Sequence, residues 1–152
     1  MSAWYNKVTA DISIIPNFIK YYENELKEAK KECLIHGSVE KSSRDLPGHV
    51  EHRFNQLQEI EAVLNYLNIE LKKIRRKYFQ QYLEHYQRAL TSRDVEKYVD
   101  GEQEVVNYEL LINEVALLRN YFLGIMKGLD TKGFQISNMT RLKVAGMEDF
   151  SV

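Results

Sequence analysis

Residues Val50 to Leu90 read VEHRFNQLQEIEAVLNYLNIELKKIRRKYFQQYLEHYQRAL, without a Pro or a Gly. Within this stretch Leu57, Ile60, Leu64, Leu67, Leu71, Ile74 and Tyr78 recur at alternating spacings of three and four. That period lays an apolar stripe along a helix, and sustained over three heptads it reads as a coiled-coil seam. Each helical residue adds ~1.5 Å, so a helix over 50–90 extends ~60 Å, longer than a compact domain of this size needs. An elongated or associating molecule is expected.

Working outward, a further helix is predicted over 11–35, where Ile12, Ile15, Ile19, Tyr22, Leu26, Ala29 and Cys33 follow helical steps. Pro16 suits its first turn, where a missing N–H has no intrahelical partner to lose. His36 to Gly48 contains Gly37, Pro47 and Gly48 and is predicted to be a loop. Beyond the long helix, Thr91 and Ser92 can cap a short helix through Tyr98, and Asp100-Gly101 marks a turn.

An apolar helix is predicted over 102–131, opened by Glu102 and Glu104 at its positive end. Its apolar residues cover more than one face, so it must be buried on most sides. With only two longer helices before it to provide cover, subunit association is expected, and Leu111, Val115, Leu118, Phe122, Ile125 and Leu129 are the expected oligomer interface. Gly133 is expected to stop this helix and a short terminal helix to occupy 138–145. The chain thus reads as one all-α unit over 1–152, an elongated helical hairpin or coiled-coil subunit with an apolar C-terminal helix that drives homo-oligomerisation.

Composition agrees. At 44% hydrophobic and 28% charged, the 152 residues lie outside the low-hydrophobicity corner where chains stay disordered. Seven Gly and two Pro leave little turn material for a sandwich or barrel. The single Cys33 allows neither an internal disulfide nor a cysteine zinc cluster, and a reducing, cytoplasmic setting is expected. No secretory pattern opens the chain and no run of ~18 apolar residues suggests a membrane span.

No Gly-rich phosphate loop, nucleophile elbow or zinc signature is present. His49 and His52 stand one helical turn apart and could present two metal ligands, but no third ligand follows at a suitable spacing. Glu109, Asn113 and Glu114 lie in the apolar helix, where paired carboxylates are commoner than catalytic ones. The chain is not expected to be an enzyme or to need a cofactor.

The strongest local feature is Lys72-Lys73-Ile74-Arg75-Arg76-Lys77, followed by Tyr78, Phe79, Tyr82 and Tyr86. From Glu70 to Arg93 seven basic residues face two acidic ones, +5; from Asp94 to Asp130 three basic residues face eight acidic ones, −5. The overall net charge of −1 conceals this segregation. A basic helical stripe binds phosphates by releasing condensed counterions, and interleaved aromatics stack unpaired bases, which a duplex does not offer. Single-stranded nucleic acid is the expected ligand, through Lys72, Lys73, Arg75, Arg76, Lys77, Tyr78 and Arg88. The plainer alternative is that Ile74, Tyr78 and Tyr82 are seam residues and the cations a solvated face, as in a helical scaffold or adaptor that acts through coiled-coil contacts alone.

These residues resemble the UvsY-type recombination mediators of T-even-like phages. The resemblance runs from about Leu71 to Gly146. It is carried by Lys73-Ile74-Arg75 with Tyr78-Phe79 late in a long helix, then by an apolar helix from Asp100 bearing Gly124. That helix leads into Lys132-Gly133-Phe134-Gln135-Ile136, a basic residue and Ala145-Gly146. The run His52 to Glu61 is similar to versions carried by phages of marine cyanobacteria. Some relatives break into a Gly-rich loop after the aromatic pair, whereas here Gln80 to Leu90 continues a helical pattern. The resemblance implies a ring-like homo-oligomer, a hexamer or heptamer, in the cytoplasm of the infected bacterial host. It also implies that the chain helps a phage RecA-like recombinase replace the phage single-stranded DNA-binding protein on ssDNA, with Lys73 and Arg75 as the DNA-contacting motif.

Overall fold

The structure, a computed structural model, describes residues 3–85 and 90–147 and is all-α, with five helices and one 3-10 turn and no strand among the described residues. Helix α1 spans Ala3–Ala10, the 3-10 turn Ile12–Ile14, α2 Ile15–Glu32, α3 Val39–His85, α4 Ser92–Asp100 and α5 Gln103–Val144. The helix predicted over 11–35 therefore opens as a 3-10 turn, in which Asp11 Oδ1 accepts from the Ser13 N–H at 3.0 Å, and ends at Glu32. Pro16 lies in the first turn of α2, as its missing N–H requires. Helix α1 was not anticipated.

The long helices α3 and α5 set the architecture. They lie side by side and antiparallel: Leu46 packs against Gly133 near one end, and Tyr78 bonds Glu104 near the other. With 47 residues, α3 extends ~70 Å. It begins eleven positions before the expected start at Val50, so most of the predicted loop over 36–48 is helical. Ser38 caps this earlier start, its Oγ accepting from the Lys41 N–H at 3.1 Å. Pro47 is carried inside the helix, where it removes one backbone hydrogen bond. Leu46 and Val50 on either side of it pack on the core and hold the segment in place.

Helix α5 runs through Gly133 to Val144 without a break, so the separate helix expected over 138–145 is the end of α5. Gly133 does not end the helix, and it lies where α5 meets α3, a Cβ at this position standing 3.4 Å from Leu46 Cδ2. Among the described residues, no helix is long and apolar enough to cross a membrane.

The main core gathers Val8 from α1, Ile15, Phe18 and Tyr22 from α2, Leu57, Ile60, Val63 and Leu67 from α3, and Val115, Phe122 and Leu129 from α5. This placement corrects the expected oligomer interface. Val115, Leu118, Phe122, Ile125 and Leu129 are buried within the single chain, and Leu111 packs at the edge of the same core. Helix α2 lies along α5 and supplies the cover that had been assigned to a neighbouring subunit. The apolar side chains that α5 keeps in water are different ones, among them Leu110, Leu117 and Tyr121, 50–57% exposed and spaced seven and four residues apart along one line.

Two buried polar groups tie the bundle together. Arg53, 3% exposed on the core face of α3, donates to both oxygens of Glu32, to Glu25 and to Gln56 at 2.6–2.8 Å. Glu59 accepts the Tyr22 hydroxyl and, at 3.2 Å, the Tyr5 N–H, which fixes α1 and α2 to α3.

Candidate nucleic-acid interface

The basic run lies in the second half of α3, where the helical pattern continues to His85. At about 100° per residue, Lys72, Arg76, Lys73 and Lys77 share an arc of roughly 140° on the helix, Leu71, Ile74, Arg75, Tyr78 and Tyr82 occupy the opposite side, and Phe79 stands at the border beside Lys72. The packing follows that division. Lys72, Lys73, Arg76 and Lys77 are exposed, whereas Leu71, Ile74, Tyr78, Phe79 and Tyr82 close over Val95, Val99 and Val105 to form a second, smaller core.

Helix α4 exists where Thr91 and Ser92 predicted it, with the Thr91 hydroxyl accepting from the Asp94 N–H at 3.3 Å. It buries Val95 and Val99 against α3 and turns the chain into α5. Its last residue, Asp100, and the first turns of α5 thereby reach the inner edge of the basic run. Arg75 Nη2 lies 2.6 Å from Asp100 Oδ1 and Nη1 lies 3.6 Å from Glu109 Oε1. The Tyr78 hydroxyl donates to Glu104 at 2.7 Å, and that of Tyr82 to Glu102. The hydrogen bond to Glu104, with some burial and the nearby charge, raises the Tyr78 pKa above its ordinary value. The ring of Tyr82 stacks on that of Tyr98 at 5.5 Å.

The expected ligand set is therefore divided. Lys73 is exposed and held by Glu70 at 2.8 Å, which raises its pKa, and Lys77 lies over the Tyr78 ring, 5.2 Å from its centre. Lys72, Arg76 and Lys77 pair with no carboxylate among the described residues. Arg75 is one-third exposed and engaged by two acids. Tyr78, expected to stack bases, is half-buried in the second core, because the seam it belongs to continues past Leu71 and needs cover there. Tyr86 and Arg88 lie outside the described residues. A cleft of about 320 Å³ between α3 and α4 is lined by Arg75, Arg76, Phe79, Glu96 and Val99.

The two oppositely charged halves thus meet in space, which counting charges along the chain does not reveal. The acids that engage Arg75, Tyr78 and Tyr82 all come from the block that carries the −5.

The other candidates fall elsewhere. His52 Nε2 lies 4.0 Å from Glu25 Oε2 beside the Arg53 network, and His49 is half-buried nearby. Among the described residues no group of three His, Cys, Asp or Glu is placed to hold a metal ion. Glu109 serves Arg75, Asn113 is exposed, and Glu114 lines a groove between α2 and α5. No protein-family model, curated protein or solved structure matches the chain.

Proposed function

We propose that this chain is a single-stranded DNA-binding recombination mediator, working in the cytoplasm of an infected bacterial cell. In this reading it helps a phage RecA-like recombinase replace the phage single-stranded DNA-binding protein on the strand. One observation carries the reading: Lys72, Arg76 and Lys77 stand in water on one arc of α3, unpaired by carboxylates among the described residues, although the acidic half of the chain folds directly alongside. Cations kept apart in this way are available to phosphates. The partners come from the resemblance of Leu71 to Gly146 to UvsY-type mediators.

Phosphate contact is the dominant interaction of the folded form, because the rings of Tyr78, Phe79 and Tyr82 pack on Val95, Val99 and Val105. Three or four phosphates per subunit give weak, salt-sensitive binding. A ring of six or seven copies engaging one strand gains ~10²–10⁴ in avidity over a single site. The outward line Leu110, Leu117 and Tyr121 on α5 supports self-association, since it leaves apolar surface in water after the internal core is complete. The same line favours the second reading, a helical scaffold that uses this face for protein contacts and has no DNA role.

Fluorescence anisotropy of labelled oligo(dT) at two salt concentrations tests the reading. The triple change of Lys72, Arg76 and Lys77 to Gln is expected to lower affinity at least ~10-fold and to flatten the salt dependence by roughly two units of slope. Unchanged affinity and slope would leave the scaffold.

A further inference from the structure

Four carboxylates within ten residues, Asp100, Glu102, Glu104 and Glu109, face the inner edge of the basic helix. Two of them engage Arg75 and two accept the hydroxyls of Tyr78 and Tyr82. A single nucleic-acid strand offers the same chemistry, a row of anionic oxygens that accept from guanidinium and phenol donors. The acidic segment therefore occupies from within the chain the groups that a strand would use. We infer that α4 and the first turns of α5 form a built-in acidic cover, which competes with single-stranded nucleic acid for Arg75, Tyr78 and Tyr82 and is displaced when the strand binds. This inference rests on the strand-binding reading above and adds to it a regulation of the same site.

Three features suit the cover to displacement. Its ion pairs are exposed, with Arg75 at 33%, Asp100 at 60% and Glu109 at 50%, so solvent and salt weaken each of them. Helix α4 has nine residues and belongs to the small core around Val95, Val99 and Val105, separate from the main core around Phe18 and Phe122, so it opens locally while the bundle stays folded. Lys72, Arg76 and Lys77 on the outer arc pair with no carboxylate among the described residues, and they give the strand a foothold before the cover moves. Displacement then releases Arg75 to phosphate and the Tyr78 and Tyr82 rings to bases, which turns a phosphate-only contact into a mixed one.

Two measurements on the full chain test the inference, both with oligo(dT) at low salt. The double variant Asp100→Asn with Glu109→Gln removes the acids on Arg75. A control with the same charge change, Glu23→Gln with Asp130→Asn, alters exposed acids away from α4, Asp130 being ~30 Å along α5 from Glu109. The cover variant is expected to bind roughly two- to fivefold tighter than wild type, the range set by one or two released surface pairs, and the control to gain clearly less. Hydrogen exchange of wild type is expected to speed up at α4 amides when the oligonucleotide is added.

A cover variant no tighter than the control, or α4 exchange that slows or stays constant while the strand is bound, overturns the cover and leaves the strand-binding reading standing. Binding by the cover variant alone, with none by wild type, supports the cover in its strongest form. No binding by either chain sinks the cover together with the reading beneath it.

Discussion

Arg53 interrupts the apolar stripe of α3 four residues before Leu57, at a position the seam would fill with Leu or Ile. It is tolerated because its donors meet Glu25, Glu32 and Gln56, so the charge is buried with its partners. Removing one member of such a group strands the others, and Arg53→Met is expected to lower stability by about 2–4 kcal/mol in urea unfolding, the carboxylates keeping part of their surface in water. The same group predicts a pH dependence. The hydrogen bond from Gln56, and then Arg53, hold the Glu25 carboxyl below its ordinary pKa of 4.5. For Glu32 burial pushes upward, and the hydrogen bonds and charge of Arg53 outweigh it. Carboxyls whose pKa is lower in the fold than in the unfolded chain stabilise the fold above the unfolded value, and that stability is lost as pH falls through the folded value. Unfolding measured between about pH 5 and pH 3 should show wild type losing stability steeply and Arg53→Met losing it less, because the substitution removes the main lowering influence on Glu32 and leaves Glu25 only its hydrogen bond from Gln56. A charged residue on the seam is visible in the sequence. Its partners are not, because Glu25 and Glu32 lie 28 and 21 residues away on a different helix.

At the scale of elements, α4 was legible to its capping residue, and the long basic helix and the apolar helix both exist. Their extents were misjudged at Pro47 and Gly133, for one physical reason. Gly and Pro break a helix when nothing else holds it, and here tertiary contacts hold it: Leu46 beside Pro47 packs on the core and closes onto Gly133. Glycine therefore has two meanings in α5, and substitution separates them. Gly124 has open space around an added Cβ, so Gly124→Ala is expected to stabilise by about 0.5–1 kcal/mol through helix propensity. At Gly128 the same methyl would stand 2.9 Å from Cys33 Sγ, and the overpacking, about 1–3 kcal/mol, cancels or reverses that gain. Thermal unfolding of the two variants side by side checks the contrast. Equal effects would mean that α2 and α5 do not approach closely at Cys33.

For the molecule as a whole, the sequence showed that α5 is too apolar to stand alone but not what covers it. The unanticipated α1 and the lie of α2 complete that core inside the chain, so mutations on the two sides of α5 should separate in effect. Phe122→Ala is expected to cost about 3–5 kcal/mol of folding stability, as for a fully buried aromatic. Leu117→Gln with Tyr121→Gln should change folding stability little and lower the sedimentation coefficient if the proposed oligomer uses the outward line. The charge segregation was equally legible in sequence, yet only the antiparallel return of α5 brings the opposite blocks together.

Because α3 passes through both cores without interruption, Lys72, Arg76 and Lys77 ride on the same rod as Leu57, Ile60 and Leu67. The cationic ridge has no hinge of its own and points wherever the bundle points it, like a blade fixed to its handle. Loosening the handle near Trp4 or Phe18 would blunt the blade some tens of ångströms away, without touching a single residue at its edge.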